Sequence, residues 1–341
     1  MTTPLHNAIL KIIQRQDLTE QDMTHAMQEI MSGQATSAQI AGFLIGLETK
    51  GLTVEEITAA TRVMRSKAYT LSMPTYNLID IVGTGGDGAA TFNISTAVAF
   101  VVAAAGGHVA KHGNRSISSP SGSADMIEQA GINLNLTPDK IQQCIEQIGI
   151  GFLFAPQHHP ALQHAKQARK ELGIRTFLNL LGPLTNPANA TSLVVGVFAP
   201  KWLEVLAKVL INLGCQHAAI VHSEDGLDEI SIAAPTQVAE VKSGKIYQYH
   251  ITPEQYGFRR QSLDPIRVQS PAQSLNIVQS VLNDFKGPAL DIVLLNAGMA
   301  LYVAEMVNSI DEGIGKAKEV IASGKALEKL QQLAAFSHTF D

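Results

Sequence analysis

From Asp80 to Asp125 the chain reads DIVGTGGDGAATFNISTAVAFVVAAAGGHVAKHGNRSISSPSGSAD, a run rich in groups that can hold a phosphate-bearing ligand. Gly83-Thr84-Gly85-Gly86-Asp87-Gly88 follows the mostly apolar Leu78–Val82, and Asn93-Ile94-Ser95-Thr96 then opens an alanine-rich helix. Glycines let backbone N–H groups turn inward toward an anion, and a helix start adds partial positive charge at the same place. Asn93, Ser95 and Thr96 read as helix caps whose hydroxyls and N–H groups could also hold phosphate, and Ser95 could add an oxygen to a metal ion. A second loop, Lys111 to Ser119, packs two cations and three hydroxyls into nine residues, although a solvated surface loop would look similar. Ser121-Gly122-Ser123-Ala124-Asp125 starts another anion-ready helix.

Other chemistries fit less well. Gly83-x-Gly85-x-x-Gly88 matches a dinucleotide fingerprint literally, but residues 100–110 lack the acid that would take the ribose. No Gly-Lys-Ser/Thr follows, so it is not a Walker loop. Asp225-Gly226-Leu227-Asp228-Glu229 clusters carboxylates after a strand, which suits Mg²⁺ bridging to substrate phosphates; a ligand-free acidic turn is the commoner meaning of such a run. His158-His159 has no third ligand at suitable spacing and reads as a loop pair with no metal role. Cys144 and Cys215 are far apart, without a C-x-x-C, and read as reduced thiols.

The elements that must position these groups divide the chain in two. Residues 4 to about 70 read as helical, with N-caps at Thr19, at Thr36 paired with Gln39 and at Thr53 paired with Glu56, and with stops at Gly33 and Gly51. Gly42 and Gly46, one turn apart, imply that another backbone approaches closely, either inside the bundle or across a dimer. From Tyr76 onward short apolar runs alternate with helices such as Lys201–Leu213. The expected strands are Leu78–Val82, His108–Lys111, Gly151–Phe154, Leu193–Val197, Ala218–His222 and Ile292–Leu295. Gln237–Val241 and Lys245–His250 read as a hairpin, and Ala300–Val307 and Gly313–Ala322 as closing helices. This alternation predicts an α/β fold: a small all-helical domain, residues 1–72, plus a larger domain, 73–341, with a largely parallel central sheet covered by helices. Pro160–Pro187 reads as helical to Leu172 and then as a loop with forced turns at Gly182-Pro183 and Asn186-Pro187. Residues 165–187 are expected to cross back to the helical domain and carry their basic residues into the cleft.

At 341 residues with 45% hydrophobic and 16% charged residues, a large packed core is expected and disorder is not. The net charge of −5 gives no footprint for nucleic acid or an anionic membrane. Ala97–Ala105 is too short for the ~20 residues of a membrane span. No signal peptide is evident, and the expected location is the cytoplasm.

Five separated motifs, GTGGD, NIST, KHGNR with SGSAD, RKELGIRTFLNLLGPLTNP and GLDEIS, occur in an order that resembles the anthranilate phosphoribosyltransferase family across essentially the whole chain. The resemblance implies transfer of a phosphoribosyl group from phosphoribosyl pyrophosphate to the amino group of anthranilate in tryptophan biosynthesis. It also implies a cleft between the domains, a homodimer through the helical domains, and Mg²⁺ as cofactor, two ions per monomer. Carried over motif by motif, Gly83, Gly86, Asp87 and Thr91 would belong to the phosphoribosyl pyrophosphate loop. Asn93, Ser95, Thr96, Lys111 and Ser123 would hold its phosphates. Ser95, Asp228 and Glu229 would be magnesium ligands. Asn114 and Arg169 would bind anthranilate, with His112 and Pro183 lining its path and Gly83 close by. Lys111, Arg169, Asp228 and Glu229 would carry the catalysis. Arg169, rather than Arg175 six residues on, matches the family's carboxylate-binding arginine, because it directly precedes Lys170-Glu171-Leu172-Gly173. One departure is Pro120, where many relatives carry a basic residue. The rival expectations are a pyrimidine nucleoside phosphorylase-like enzyme and a non-enzymatic, nucleic-acid-binding relative.

Overall fold

A computed structural model describes residues 2–73, 77–116 and 119–340. Tyr76, the expected start of the strand–helix alternation, and Ile117 and Ser118 of the second polar loop lie outside the described residues.

Four helices open the chain: α1 (Pro4–Ile13), α2 (Glu20–Met31), α3 (Ser37–Lys50) and α4 (Val54–Ser66). Thr19, Thr36 and Thr53 each accept the N3 backbone N–H while the N3 side chain of Asp22, Gln39 or Glu56 answers the cap, so the three expected starts are capping boxes. Gly33 and Gly51 sit at positive φ where helices stop, as expected.

The larger part follows as β1 (Leu78–Gly83), α5 (Ile94–Ala104), β2 (His108–Gly113), α6 (Ser123–Gln129), α7 (Pro138–Ile148), β3 (Ile150–Phe154) and α8 (Ala155–His158). Next come α9 (Gln163–Leu172), α10 (Leu178–Leu184), β4 (Ser192–Gly196), α11 (Trp202–Asn212), β5 (His217–Ser223), β6 (Thr236–Lys242) and β7 (Lys245–Ile251). The chain closes with α12 (Pro271–Leu282), α13 (Pro288–Val303), α14 (Ile310–Ala322) and α15 (Lys325–Ser337). Among the described residues seven strands form one sheet in the order β3-β2-β1-β4-β5-β6-β7. Strands β1 to β5 run parallel, and the β6–β7 hairpin is antiparallel. Strands β4 and β5 are buried along their whole length, as parallel strands between two helical layers must be.

Two cores result. One face of the sheet packs with α5 and α13 (Val98, Phe100, Leu294). The other shares a cluster with the N-terminal bundle, α9–α11 and the strand residues Leu193, Val195, Ala218 and Ile220. Residues 163–184 therefore pack with the bundle: Phe177 meets Phe43 edge to face at 6.4 Å, and Ala165 and Ala168 lie in the same cluster.

Three expectations need correction. Ile292–Leu295 is not a strand but the middle of α13, which is buried on nearly every side, so no polar face marks its helical period. Ala300–Val307 is not a separate helix: its first residues finish α13, which stops at Val303, and Glu305 then takes a positive φ. Gly182-Pro183 is not a turn: Pro183 lies inside the short helix α10. There the proline ring removes only a hydrogen bond near the helix end.

Candidate active site

The order of strands reverses at β1, whose neighbours are β2 and β4; such a switch point opens a crevice at the carboxyl ends of the strands. The glycine loop leaves β1 at that crevice. Gly85 and Gly86 have φ of 67° and 79°, a region that costs other residues strain. Gly83 is required for another reason: a Cβ there would lie 2.5 Å from Asp228 Oδ2.

The opposing wall is the turn after β5. Ser223 donates its N–H to Leu227 O at 3.0 Å and Gly226 donates to Ser223 O at 2.9 Å. The Asp225 carboxylate accepts from Leu227 N at 3.2 Å and from Ser231 Oγ at 2.6 Å, so this acid holds the turn together. Asn296 of α13 fixes the next residue from both sides, accepting from Ile230 N at 2.9 Å and donating to Ile230 O at 2.8 Å. A Cβ at Gly196, at the end of β4, would sit 1.5 Å from the Asp228 carbonyl oxygen. Asp228 and Glu229 are thereby set against the glycine loop.

Their electrostatics are strained. Asp228 Oδ2 accepts the Gly85 N–H at 2.7 Å. Burial, with Asp87 alongside, still pushes the Asp228 carboxyl up to about 7. Burial and the neighbouring Asp228 push Glu229 well above the usual carboxylate range, against the pull of Lys111 and a hydrogen bond from the Ser95 backbone N–H.

Lys111 is 2% exposed and donates from Nζ to His112 O at 3.2 Å. Burial lowers its ammonium, opposed by Asp80, Glu229 and Asp228. Asp80 is fully buried on β1 and accepts from Asn186 Nδ2 at 2.8 Å and His112 N at 3.2 Å. Burial raises it to about 6, with Lys111 opposing. The structure thus makes Lys111 a member of a buried network that reaches the acidic turn.

His112 Nδ1 lies 3.2 Å from Gly182 O, one residue before Pro183, and its ring is 5.3 Å from that of His159. Burial, aided by the neighbouring histidines, lowers its pKa well below the usual value, so the imidazole is neutral. His158 and His159 themselves bond to the carbonyls of Tyr69 and Thr185. Ser123 Oγ lies 3.4 Å from Asn114 O, and Asn114 is exposed at the rim. Arg115, one of the two cations counted in that loop, is paired with Asp125 and Glu128.

The other expected residues vary in how far they join this group. Asn93 precedes α5 but makes no side-chain cap, contrary to the cap reading. Its Oδ1 accepts from Ser121 Oγ at 2.8 Å and Ser274 Oγ at 2.7 Å, stapling the two loops to α12. Thr96 Oγ1 is buried without a partner among the described residues. Thr91 pairs through its backbone with Arg267. Arg169 stands on α9, its side chain without a hydrogen bond or ion pair to another described residue, and burial alone lowers its pKa.

Gly196 and Asn296 have no place in the sequence reading, and Arg175 enters it only as the arginine set aside in favour of Arg169. The Arg175 guanidinium donates to Gly86 O in the glycine loop and stacks over Phe198 at 4.5 Å. Only its place inside the fourth motif signals it.

A switch-point crevice with a glycine loop, a buried lysine and a paired acidic turn suits a transferase acting on a phosphate-bearing sugar. Comparison with known proteins agrees. Residues 6–68 match the helical bundle domain of the glycosyl transferase family and residues 75–327 its a/b domain. The chain is 57% identical over 98% of both lengths to the anthranilate phosphoribosyltransferase of Thioalkalivibrio sulfidiphilus. It is 55% identical to that of Methylococcus capsulatus over 95% of both. The crystal structure of the Thermus thermophilus anthranilate phosphoribosyltransferase superposes with a TM-score of 0.92 at 42% identity, over 97% of this chain and 99% of that one. The Saccharomyces cerevisiae enzyme in complex with PRPP and Mg gives 0.91 at 27% identity, over 98% of both. The chain belongs to the anthranilate phosphoribosyltransferase family.

Proposed function

We propose that this crevice carries the family's reaction with the residues assigned below. The chain is an enzyme: it transfers the phosphoribosyl group of phosphoribosyl pyrophosphate to the amino group of anthranilate and releases pyrophosphate, a step of tryptophan biosynthesis. The observation that carries the assignment is the seating of the acidic turn against the glycine loop, where Asp228 Oδ2 accepts the Gly85 N–H at 2.7 Å and lies 2.5 Å from where a Cβ on Gly83 would be, so that like charge gathers at a point a bound cation would relieve.

The donor set fits Mg²⁺. Among the described residues no three acids, histidines or cysteines are grouped to enclose a metal alone. Magnesium usually takes one or two carboxylates and completes its shell with water and substrate phosphate. Asp228 and Glu229, with Ser95 beside them, would hold it, two ions per monomer; when bound it neutralises charge on the departing pyrophosphate.

The chain's own groups do the rest. Backbone N–H groups of Gly83, Gly86 and Asp87 face the pyrophosphate, with Thr91 at the far end of the loop. Asn93, Ser95, Thr96, Lys111 and Ser123 hold phosphate, Thr96 through a hydroxyl that has no other described partner. Lys111 adds positive charge in a dry site, where it is worth most. The unpaired guanidinium of Arg169 takes the anthranilate carboxylate as a two-pronged donor, with Asn114 at the rim. Neutral His112 and Pro183 wall the path. The aryl amine is then held in line with the breaking C1–O bond, so proximity and a stabilised leaving group supply the rate.

A homodimer through the bundle is part of the same reading. A Cβ on Gly46 would meet Ile12 Cγ2 at 2.6 Å, so that glycine serves packing within the bundle. Gly42 meets nothing, and Ile45 on the same helix is exposed together with Leu10 and Ile13 of α1. Among the described residues no helix is long and apolar enough to cross a membrane; the cytoplasm is the proposed location.

The test follows anthranilate fluorescence after addition of phosphoribosyl pyrophosphate and Mg²⁺. Signal loss is expected with the wild type, and Arg169→Ala should raise the anthranilate KM roughly 10- to 100-fold, the worth of one charge-assisted bidentate contact. A folded wild type that consumes no anthranilate would overturn the assignment and point to phosphorolysis of nucleosides.

A further inference from the structure

We propose that Arg175 is a positioning residue for this reaction: it holds the glycine loop in its anion-binding shape and ties that shape to the helical bundle. The inference rests on the reading of the loop as the pyrophosphate site.

Two neighbouring residues of the loop are held by different partners. The Gly85 N–H goes to Asp228 Oδ2 at 2.7 Å, and the Gly86 carbonyl accepts from Arg175 Nη1. Both glycines are in the left-handed region, so the loop depends on such contacts to select one conformation from many. The contact is close: a Cβ on Gly86 would fall 3.0 Å from Arg175 Cδ. Any ligand that draws Asp228 away from Gly85 leaves Arg175 and the Thr84 hydroxyl, which accepts from Phe198 N at 3.2 Å, as side-chain anchors of this segment, and Arg175 alone holds Gly86.

The guanidinium is itself aimed by its surroundings. It lies over the ring of Phe198, two residues past β4, with its carbon 4.5 Å from the ring centroid. No carboxylate of a described residue pairs with it, so its charge adds to the positive potential where the pyrophosphate would lie. Arg175 also has a path to the bundle. Phe177, two residues on, packs edge to face on Phe43 of α3. The Glu48 carboxyl of the same helix lines the cavity beside Arg175, and burial raises it against the pull of Lys201 and the Phe177 backbone N–H. Displacing the bundle therefore displaces the segment that carries the anchor. A cavity of about 180 Å³, lined by Arg175, Thr176, Phe198, Glu48, Lys201 and Trp202, gives the guanidinium room to move. Trp202 is the only tryptophan of the chain and reports on that cavity.

The experiment separates binding from turnover. Phosphoribosyl pyrophosphate with Mg²⁺, without anthranilate, is titrated into wild type, Arg175→Ala, Arg175→Lys and Phe198→Leu, and followed by Trp202 fluorescence and by calorimetry. Full kinetics and thermal unfolding accompany each variant. Loss of a charge-assisted hydrogen bond should weaken phosphoribosyl pyrophosphate binding roughly 10-fold in Arg175→Ala and raise its KM in parallel. The anthranilate KM at saturating donor should stay within about twofold. Arg175→Lys, which keeps the charge but loses the fork, should fall between, as should Phe198→Leu, which keeps the arginine and removes its platform. A merely structural role would lower the unfolding temperature and leave the donor affinity of the folded protein unchanged. A donor affinity within twofold of wild type in folded Arg175→Ala overturns the proposal. Should that variant fail to fold, unchanged affinity in both Arg175→Lys and Phe198→Leu overturns it equally. Wild-type turnover is measured first, so failure of the enzymatic reading is seen separately.

Discussion

Asp80, within β1, and Asp228, in the turn after β5, are both buried, and burial pushes both above the ordinary carboxylate range, to about 6 and about 7. Their surroundings differ in kind. Asp80 has donors on both oxygens, Asn186 Nδ2 on one and His112 N on the other, and the Lys111 ammonium opposes its desolvation. Asp228 has one backbone donor, and its second-largest influence is another acid, Asp87. The first carboxylate is completed by the protein; on the proposed reading the second would be completed by the bound cation. A buried charge whose partners are all internal supports the fold; one crowded by like charge marks a place where stability has been given up for binding.

The largest expected effect tests the open end of this contrast. Asp228→Asn keeps an oxygen for the Gly85 N–H but removes the charge, and Glu229→Gln does the same beside it. Each should cut turnover by about 100-fold or more at limiting Mg²⁺ while leaving the protein folded, with an unfolding temperature at or above that of wild type. A variant that retains activity, or that loses stability by several degrees, would put Asp228 in the same class as Asp80.

The closed end should behave in the opposite way. Asp80→Ala strands the Lys111 ammonium and leaves the His112 N–H and Asn186 amide without their acceptor. Breaking a buried pair from one side costs about 3 kcal/mol, visible as a lower denaturant midpoint at unchanged slope. Donor affinity per folded molecule should fall much less than in Asp228→Asn. Destabilisation below about 1 kcal/mol would show that the network does not support the fold.

This division was only half legible in the sequence. The glycine loop, the acidic turn and the strands that carry them could be read, because positive-φ glycines, apolar strand runs and clustered acids are local signals. Thr36 with Gln39 and Thr53 with Glu56 marked helix starts for the same reason. Asp80 gave no sign, since one acid in an apolar strand looks the same whether or not Asn186, 106 residues later, meets it. The burial of Lys111 and the use of Asp225 as a turn-former are likewise properties of the assembled chain. Gly196 needs to be glycine because the Asp228 carbonyl rests on it, a reason that lies in another strand–turn unit. Asn296 was hidden by the misreading of α13, whose all-round burial erases the helical period.

The smallest effect is also the one that separates the two carboxyls most cleanly. The folded chain keeps a proton on Asp228 up to about pH 7, whereas the unfolded chain has lost it near the ordinary value of 3.8. Between those limits the folded state binds more protons, so stability falls as pH rises through the interval, and the loss is complete above about 7. Asp228→Asn has no such proton to lose. The stability advantage of the variant over wild type should therefore be negligible near pH 4 and grow toward neutrality, reaching on the order of 1 kcal/mol or more. The contribution of Asp80 is common to both proteins and largely cancels in the difference, while relief of Glu229 acts in the same direction. Denaturant unfolding at intervals between about pH 4 and pH 8 measures the gap, and Mg²⁺ with phosphoribosyl pyrophosphate should reverse it by stabilising only the wild type. A gap that stays flat with pH, or that narrows toward neutrality, would mean that the acidic turn is neutralised from within the protein, as Asp80 is.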